Sequence, residues 1–156
     1  MNIHFLRHAK TNQKSPTGRD FDRELLARGL EQLEEFRAFI GSKQLDIPHI
    51  YCSSAVRTRQ TLSHISSLFP TSFITYHDAL YLASANEILR FINEKDTTED
   101  VLVIGHNEGL SDLISYLTDQ ELHMKTCAYI QLSFPFERSS FISKGTGELK
   151  EVFRVI

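Results

Sequence analysis

Arginine and histidine stand in this chain immediately after short apolar runs. Arg7-His8 follows residues 3–6, Ser53-Ser54-Ala55-Val56-Arg57 follows residues 47–52, and Gly105-His106-Asn107 follows residues 101–104. A guanidinium is a planar, permanently charged fork of donors that matches phosphate oxygens, so two on separate elements can clamp one phosphoryl group and stabilise charge in its transition state. A neutral imidazole nitrogen is a competent nucleophile toward phosphorus, and neighbouring cations disfavour its protonated form. His8, beside Arg7, suits that nucleophile, and Arg7 with Arg57 suits the clamp. His106 suits a hydrogen-bond donor to a nonbridging oxygen, and a helix opening near Glu108 would aim its N–H groups at the same anion, Asn107 N–H first. Singly, each residue has a plain reading as a core or surface side chain. Their joint occurrence at three run ends is what points to phosphoryl chemistry.

The elements that would position them are legible from apolar spacing. The runs at 3–6, 47–52 and 101–104 are β-branched or aromatic-rich and read as buried strands, and 72–76 reads as a fourth. Leu26, Leu30, Leu33, Phe36 and Ile40 recur every three or four residues before Gly41, the pattern of an amphipathic helix with a glycine at its end. Further helices are expected over 56–68, 86–93 and 108–117. Strands alternating with helices predict an α/β protein, a three-layer α/β/α sandwich built on a mainly parallel sheet. Beyond Asp119 the helical pattern stops, and 128–134 and 148–155 are expected to close one edge as an antiparallel pair, turning at Gly145 and Gly147. In such a sheet reactive groups collect beyond the carboxyl ends of the strands, which is where the four residues fall.

Size and charge bound the rest. With 156 residues, 41% of them hydrophobic, the chain suits one domain over 1–156 around one substantial core. Its 17 Lys and Arg against 20 Asp and Glu give a net charge of -3, so no global field would hold it on nucleic acid. No run approaches a membrane span and the N-terminus is too short in apolar residues for a signal peptide, which makes a cytoplasmic location the expectation. Cys52 and Cys127 lie far apart in apolar contexts and read as buried thiols. His4, His49, His64, His77 and His123 are scattered without zinc-ligand spacing, and no Asp-rich cluster recruits magnesium, so a reaction without metal or other cofactor is expected.

The same motifs resemble those of a known family. FLRHAKT resembles the arginine-histidine signature that opens the histidine phosphatase superfamily (phosphoglycerate mutase-like), with Ala9 in the usual glycine place. SSAVRTRQTL resembles its second motif, with Ser53, Arg57, Gln60 and Thr61 in step, and VLVIGHNEGL resembles its third. DFDRELLARG and the small size resemble the branch that includes the bacterial phosphohistidine phosphatase of phosphorelay systems. The resemblance spans most of residues 1–120. It implies the phosphoglycerate mutase-like fold, transient phosphorylation of His8 and release by water, with Arg7, Arg57 and His106 completing the pocket. It also implies that Thr11 orients the nucleophile's loop, although a threonine at a strand-to-helix turn commonly caps with no chemical task.

The departures carry information too. Many members have an asparagine six residues past the nucleophile, where this chain has Lys14, and the Leu-Glu-rich motif that supplies their acidic proton donor is not intact. Asp78 is the nearest candidate acid, with capping or solvating a loop as its plainer role. Weak acid equipment suits P–N hydrolysis, because a phosphohistidine nitrogen leaves as neutral imidazole after prior protonation, whereas an alkoxide must be protonated in flight. Arg23 could reach an acidic substrate surface or pair with Asp20 or Asp22. Arg59, two positions from Arg57, faces elsewhere on its helix. The leading expectation is a phosphatase whose substrate is a phosphohistidine on a protein, such as a phosphorelay domain. The alternatives are a phosphomonoesterase for a small metabolite and a phosphate-recognition module without turnover; a cofactor-dependent mutase fits less well, for the chain lacks room for the insertions that wall off its substrate. An open pocket would suit a protein, a deep basic one a metabolite.

Overall fold

The computed structural model describes residues 1–155. Six strands form one sheet: β1 (Asn2–Arg7), β2 (His49–Ser53), β3 (Phe73–His77), β4 (Val101–Gly105), β5 (Tyr129–Ser133) and β6 (Glu148–Phe153). Four helices alternate with them: α1 (Ala27–Gly41), α2 (Val56–Ile65), α3 (Ala85–Lys95) and α4 (Gly109–Thr118). The sheet order is β3-β2-β4-β1-β5-β6, parallel from β3 to β1, with β5 antiparallel to β1 and β6 antiparallel to β5. This is the expected sandwich with its antiparallel edge.

Alternation along the strands divides the core. Val101 and Val103 of β4, with Ile3 and Phe5 of β1, pack under α3 and α4 against Ile88, Ile92, Leu113 and Leu117. Leu102 and Ile104, with Leu6 and Ile50, face the other way onto Leu33, Phe36 and Ile40 of α1 and Leu62 and Ile65 of α2. A central parallel strand is covered on both faces, so it is apolar throughout rather than at alternate positions. Cys52 and Cys127 are both free and buried in this second layer, as the apolar contexts predicted.

Differences from the sequence reading lie at element ends. The second helix stops at Ile65 and continues as a single 3-10 turn over Ser66–Leu68, and the fourth opens at Gly109 rather than Glu108. At Gly109 a Cβ would stand 1.9 Å from the Ala83 carbonyl oxygen, so only glycine lets the two segments approach this closely. The third helix begins with a capping box, Ser84 accepting from Glu87 N–H while the Glu87 carboxylate accepts from Ser84 N–H. Phe134, just after β5, is buried in the first layer of the core with Phe136 packed against it, while Phe141 stands out at 61% exposure.

Gly29 sets the spacing between α1 and the segment after β1. A Cβ there would lie 2.4 Å from the Lys10 carbonyl oxygen, which accepts the Leu26 N–H at 2.9 Å. A Gly29→Ala variant therefore has to push back the backbone that carries His8. Overpacking of this kind costs about 1–3 kcal/mol, and urea unfolding is expected to register a loss of that order, with activity reduced in parallel; unaltered stability would show that the approach is not tight.

Candidate active site

Order in the sheet brings the motifs together. β2, β4 and β1 are adjacent, so the residues that follow Ser53, Gly105 and Arg7 meet at one end of the sheet. His8 is fixed between its neighbours: its N–H donates to the Gly105 carbonyl at 3.3 Å and its carbonyl accepts Cys127 N–H at 3.0 Å. The next residue, Ala9, is fully buried, its methyl packed in the layer of α1 and α2, and its N–H donates to Thr61 Oγ1 at 3.1 Å. Gln60 Oε1 accepts Leu25 N–H and Gln32 Oε1 accepts Lys10 N–H, both at 2.8 Å. The Gln-Thr pair of the second motif thus holds the backbone on both sides of the site.

A cavity of about 220 Å³ opens there, lined by Arg7, His8, Lys10, Thr11, Gln13, Asp20, Arg23, Arg57, Leu82, His106, Asn107 and Thr126. Arg7, His8, Thr11, Arg23, Arg57, His106 and Asn107, the residues the sequence reading assigned to phosphoryl chemistry and binding, are all on this wall, and the candidate acid Asp78 is not. The two imidazoles lie with ring centroids 5.4 Å apart. His8 Nδ1 is 2.8 Å from the Ala9 carbonyl oxygen. A carbonyl only accepts, so Nδ1 carries the proton and Nε2 of the neutral ring keeps its lone pair. Burial pushes the His8 pKa down to about 3; the Ala9 carbonyl opposes this, and Arg57, Arg7 and Arg23 add to it. Burial, more than the flanking cations invoked from sequence, keeps the ring neutral.

His106 is 2% exposed, and burial followed by His8 and Arg57 pushes its pKa down to about 2. Its Nε2 sits 2.7 Å from Ser53 Oγ, which also accepts Ala55 N–H at 3.4 Å. If the Ser53 hydroxyl donates to Nε2, the ring proton stands on Nδ1 and points into the cavity as a donor. Among the described residues, His106 Nδ1, Arg7 Nε and Arg57 Nε are buried polar atoms without a protein partner. Unpaired buried donors are costly, and an anion with several acceptor oxygens is the ligand that would satisfy donors gathered in one place. Arg7 also donates to the Met124 carbonyl at 3.0 Å, and burial lowers its pKa, against the opposing pull of Glu108.

Arg57 is 2% exposed at the first turn of α2 and donates to Asp20 twice, NH1 to the carbonyl oxygen at 2.8 Å and NH2 to Oδ2 at 3.0 Å. Arg23 pairs with the same carboxylate, NH1 to Oδ1 at 3.0 Å, while its NH2 donates to Thr11 Oγ1 at 2.6 Å. Tyr81 donates to Asp20 Oδ2 as well. Thr11 and Arg23 are therefore coupled on the cavity wall. Asn107 has its side chain committed, Nδ2 to the Met124 carbonyl at 2.7 Å and Oδ1 accepting from Ser111 Oγ at 2.8 Å.

Asp20 is the residue sequence reasoning missed. It was visible only as a partner for Arg23, yet it is the one carboxylate on this wall among the described residues. Although desolvation would raise its pKa, the hydrogen bonds from Tyr81, Arg23 and Arg57 outweigh that and hold it well below the usual carboxylate range. Asp78, the candidate acid, is elsewhere: it accepts from Ser54 Oγ and faces a different recess with Tyr81, Glu87, Arg90 and Glu94. Arg59 turns away as expected, donating to the Ser54 carbonyl and lying 4.0 Å from the centre of the Tyr76 ring. Among the described residues no group of three or more His, Cys, Asp or Glu is arranged to hold a metal ion, and no helix is long and apolar enough to cross a membrane.

Residues 3–80 match the family model of the histidine phosphatase superfamily (branch 1). An uncharacterized protein of Mycobacterium tuberculosis is 32% identical over 110 residues, which cover 69% of this chain and 66% of that one. The fold is similar to that of the proposed phosphohistidine phosphatase SixA from Agrobacterium tumefaciens, with a TM-score of 0.84 and 23% identity over 99% of this chain and 97% of the other. It is also similar to the protein histidine phosphatase SixA complexed with tungstate, with a TM-score of 0.78 and 18% identity over 97% and 96% of the two chains. The chain belongs to the histidine phosphatase superfamily. By that membership it is a hydrolase of the phosphatase class.

The low pKa values of His8 and His106 are directly observable. In a proton NMR titration their ring resonances should stay in place from about pH 8 to about pH 5, where an ordinary imidazole with a pKa of about 6.5 would shift. The unfolded chain binds these protons first, so stability rises with pH between about 2 and about 6.5 and falls on acidification through that window. Titration of either ring near its ordinary value would contradict the burial described.

Proposed function

We propose that the protein hydrolyses a phosphohistidine carried on another protein, through a covalent phosphoryl intermediate on His8 Nε2. One observation carries this reading: among the described residues the phosphoryl cavity offers no carboxylic acid to a leaving group. Its carboxylate, Asp20, is held ionised by two arginines and a tyrosine, and Asp78 faces another recess. An alkoxide leaving group needs a proton that no carboxylic acid on this wall supplies, whereas an imidazole that arrives protonated on its distal nitrogen leaves neutral.

The atoms balance without an enzymic acid. His8 Nε2 attacks phosphorus, the P–N bond to the substrate breaks, and its electron pair returns to the departing ring, which keeps its distal N–H and becomes neutral imidazole. His8, its Nδ1–H still held by the Ala9 carbonyl, takes over the positive charge together with the phosphoryl group. Water then attacks phosphorus, the second P–N bond breaks, and dihydrogen phosphate leaves with both protons of the water. Arg7, Arg57 and the His106 Nδ1–H donate to the phosphoryl oxygens as charge spreads over them. Arg57 turns part of its fork from Asp20 to the phosphoryl group, while Thr11, Arg23 and Asn107 shape the wall.

Size supports a protein as carrier. About 220 Å³ is less than the roughly 300–1,000 Å³ of ordinary small-molecule pockets, so the phosphoryl group and its ring enter while the rest stays outside. A second reading has an observation of its own. A cavity of about 510 Å³ lined by Gln13, Lys14, Ser15, Gly18, Arg19, Asp20 and Arg23 adjoins the first, and its cations would suit a small phosphorylated metabolite with another anionic group.

Phosphate release decides between them. Without added metal, wild type should release phosphate from a phosphohistidine-bearing phosphorelay domain in preference to a panel of phosphomonoesters, and His8→Ala should lose at least about a thousandfold in rate, as removal of a covalent nucleophile does. Faster turnover of one metabolite would install the second reading. Negligible release from every substrate, equal in wild type and His8→Ala, would leave a phosphate-recognition module.

A further inference from the structure

Asp20 has a position that its salt bridges do not exhaust. It belongs to the walls of both cavities, together with Gln13 and Arg23, so it stands at the junction where a substrate passes from the phosphoryl pocket toward the larger recess. With phosphorus held by Arg7, Arg57 and His106, a leaving group too large for the inner cavity would extend through that junction. Asp20 Oδ2 is taken up by Arg57 and Tyr81, whereas among the described residues Oδ1 accepts a single bond, from Arg23. The side chain remains 42% exposed, so Oδ1 keeps an acceptor direction open.

Resting on the proposed function, we infer that Asp20 is a specificity-determining residue: its carboxylate accepts the distal N–H of the substrate's phosphorylated imidazolium and so selects a P–N bond over a P–O bond. The group it recognises is a cation that also donates a hydrogen bond, which a phosphorylated imidazole ring becomes on protonation and which a phosphate monoester never presents. A carboxylate accepts such a bond strongly because both partners are charged. The contact stabilises the protonated ring, the form from which the P–N bond breaks to give neutral imidazole, and transfers no proton itself. During the step the positive charge moves from that ring to His8, and the distal N–H stays where it was. Arg57 and Arg23 hold the carboxylate at the junction, and Tyr81, whose ring meets that of His106 edge-on at 5.6 Å, ties it to the opposite wall.

The experiment compares three small substrates: phosphoimidazole, phospho-N-methylimidazolium, which carries the charge but no N–H, and p-nitrophenyl phosphate, whose leaving group needs no proton. In Asp20→Asn, kcat/KM for phosphoimidazole should fall roughly tenfold more than kcat/KM for p-nitrophenyl phosphate, the scale of one lost charge-assisted hydrogen bond. A merely structural role would lower both together, and a parallel loss overturns the inference. Wild type alone provides an independent arm if the variant folds poorly. Relative to their uncatalysed rates, phosphoimidazole should be accelerated about tenfold more than the methylated ring; equal acceleration overturns the inference while leaving phosphohistidine hydrolysis standing. Turnover of p-nitrophenyl phosphate with none of phosphoimidazole would overturn both.

Discussion

Two imidazoles 5.4 Å apart share a small cavity with the guanidinium groups of Arg7, Arg57 and Arg23, and almost no water reaches the rings. The rest of the structure answers to the electrostatics of that arrangement. A positive charge placed on either ring would face desolvation and the fixed cations Arg7 and Arg57, so both rings stay neutral, and a neutral His8 with Nδ1–H tied to a carbonyl can only present a lone pair at Nε2. The same concentration of donors is stable in the protein because Asp20 places one anion among them. A phosphoryl group is the larger anion that this field is arranged to receive.

Holding the rings in such a field requires a rigid frame, and the frame is backbone. The strand neighbours of His8 fix its N–H and carbonyl, and Thr61, Gln60 and Gln32 reach in from helices to fix Ala9, Leu25 and Lys10. Ser53, at the end of β2, holds the His106 ring by a hydrogen bond to Nε2. Glycine at position 29 admits α1 close enough for Gln32 to make its contact. Residues that read as a motif on the page are, in the fold, a set of hydrogen bonds that keep two imidazoles and two guanidiniums in register.

Much of this was legible in the sequence, because apolar alternation and helical spacing are local signals. Val101 to Gly105 reads as a buried strand from its composition alone, and Leu33, Phe36 and Ile40 mark the buried face of α1. His8, Arg57 and His106 could be grouped because strand ends in a parallel sheet converge on one side. Helix ends were less legible: nothing local shows that α2 tightens into a 3-10 turn after Ile65 or that α4 waits for Gly109. Asp20 was not legible as a site residue, since its place depends on the segment between β1 and α1 folding back over the first turn of α2, a long-range contact made through Arg57. Asp78 misled for the converse reason: it is near the second motif in sequence, but Ser54 draws its carboxylate into a neighbouring recess. The flanking cations do lower the His8 pKa, as the sequence implied, but the larger cause, burial, can be read only once the fold is known.

The account depends on a phosphoryl group passing through His8 Nε2. Rapid mixing of the protein with a phosphohistidine-bearing domain, acid-free quenching and mass spectrometric mapping with ³¹P NMR would observe that species directly. The prediction is one phosphoryl group per chain, at Nε2 of His8, formed and lost at rates compatible with turnover and absent from His8→Ala. Phosphate release at the full rate with no phosphorylated His8, or with the phosphoryl group on another residue, would contradict it.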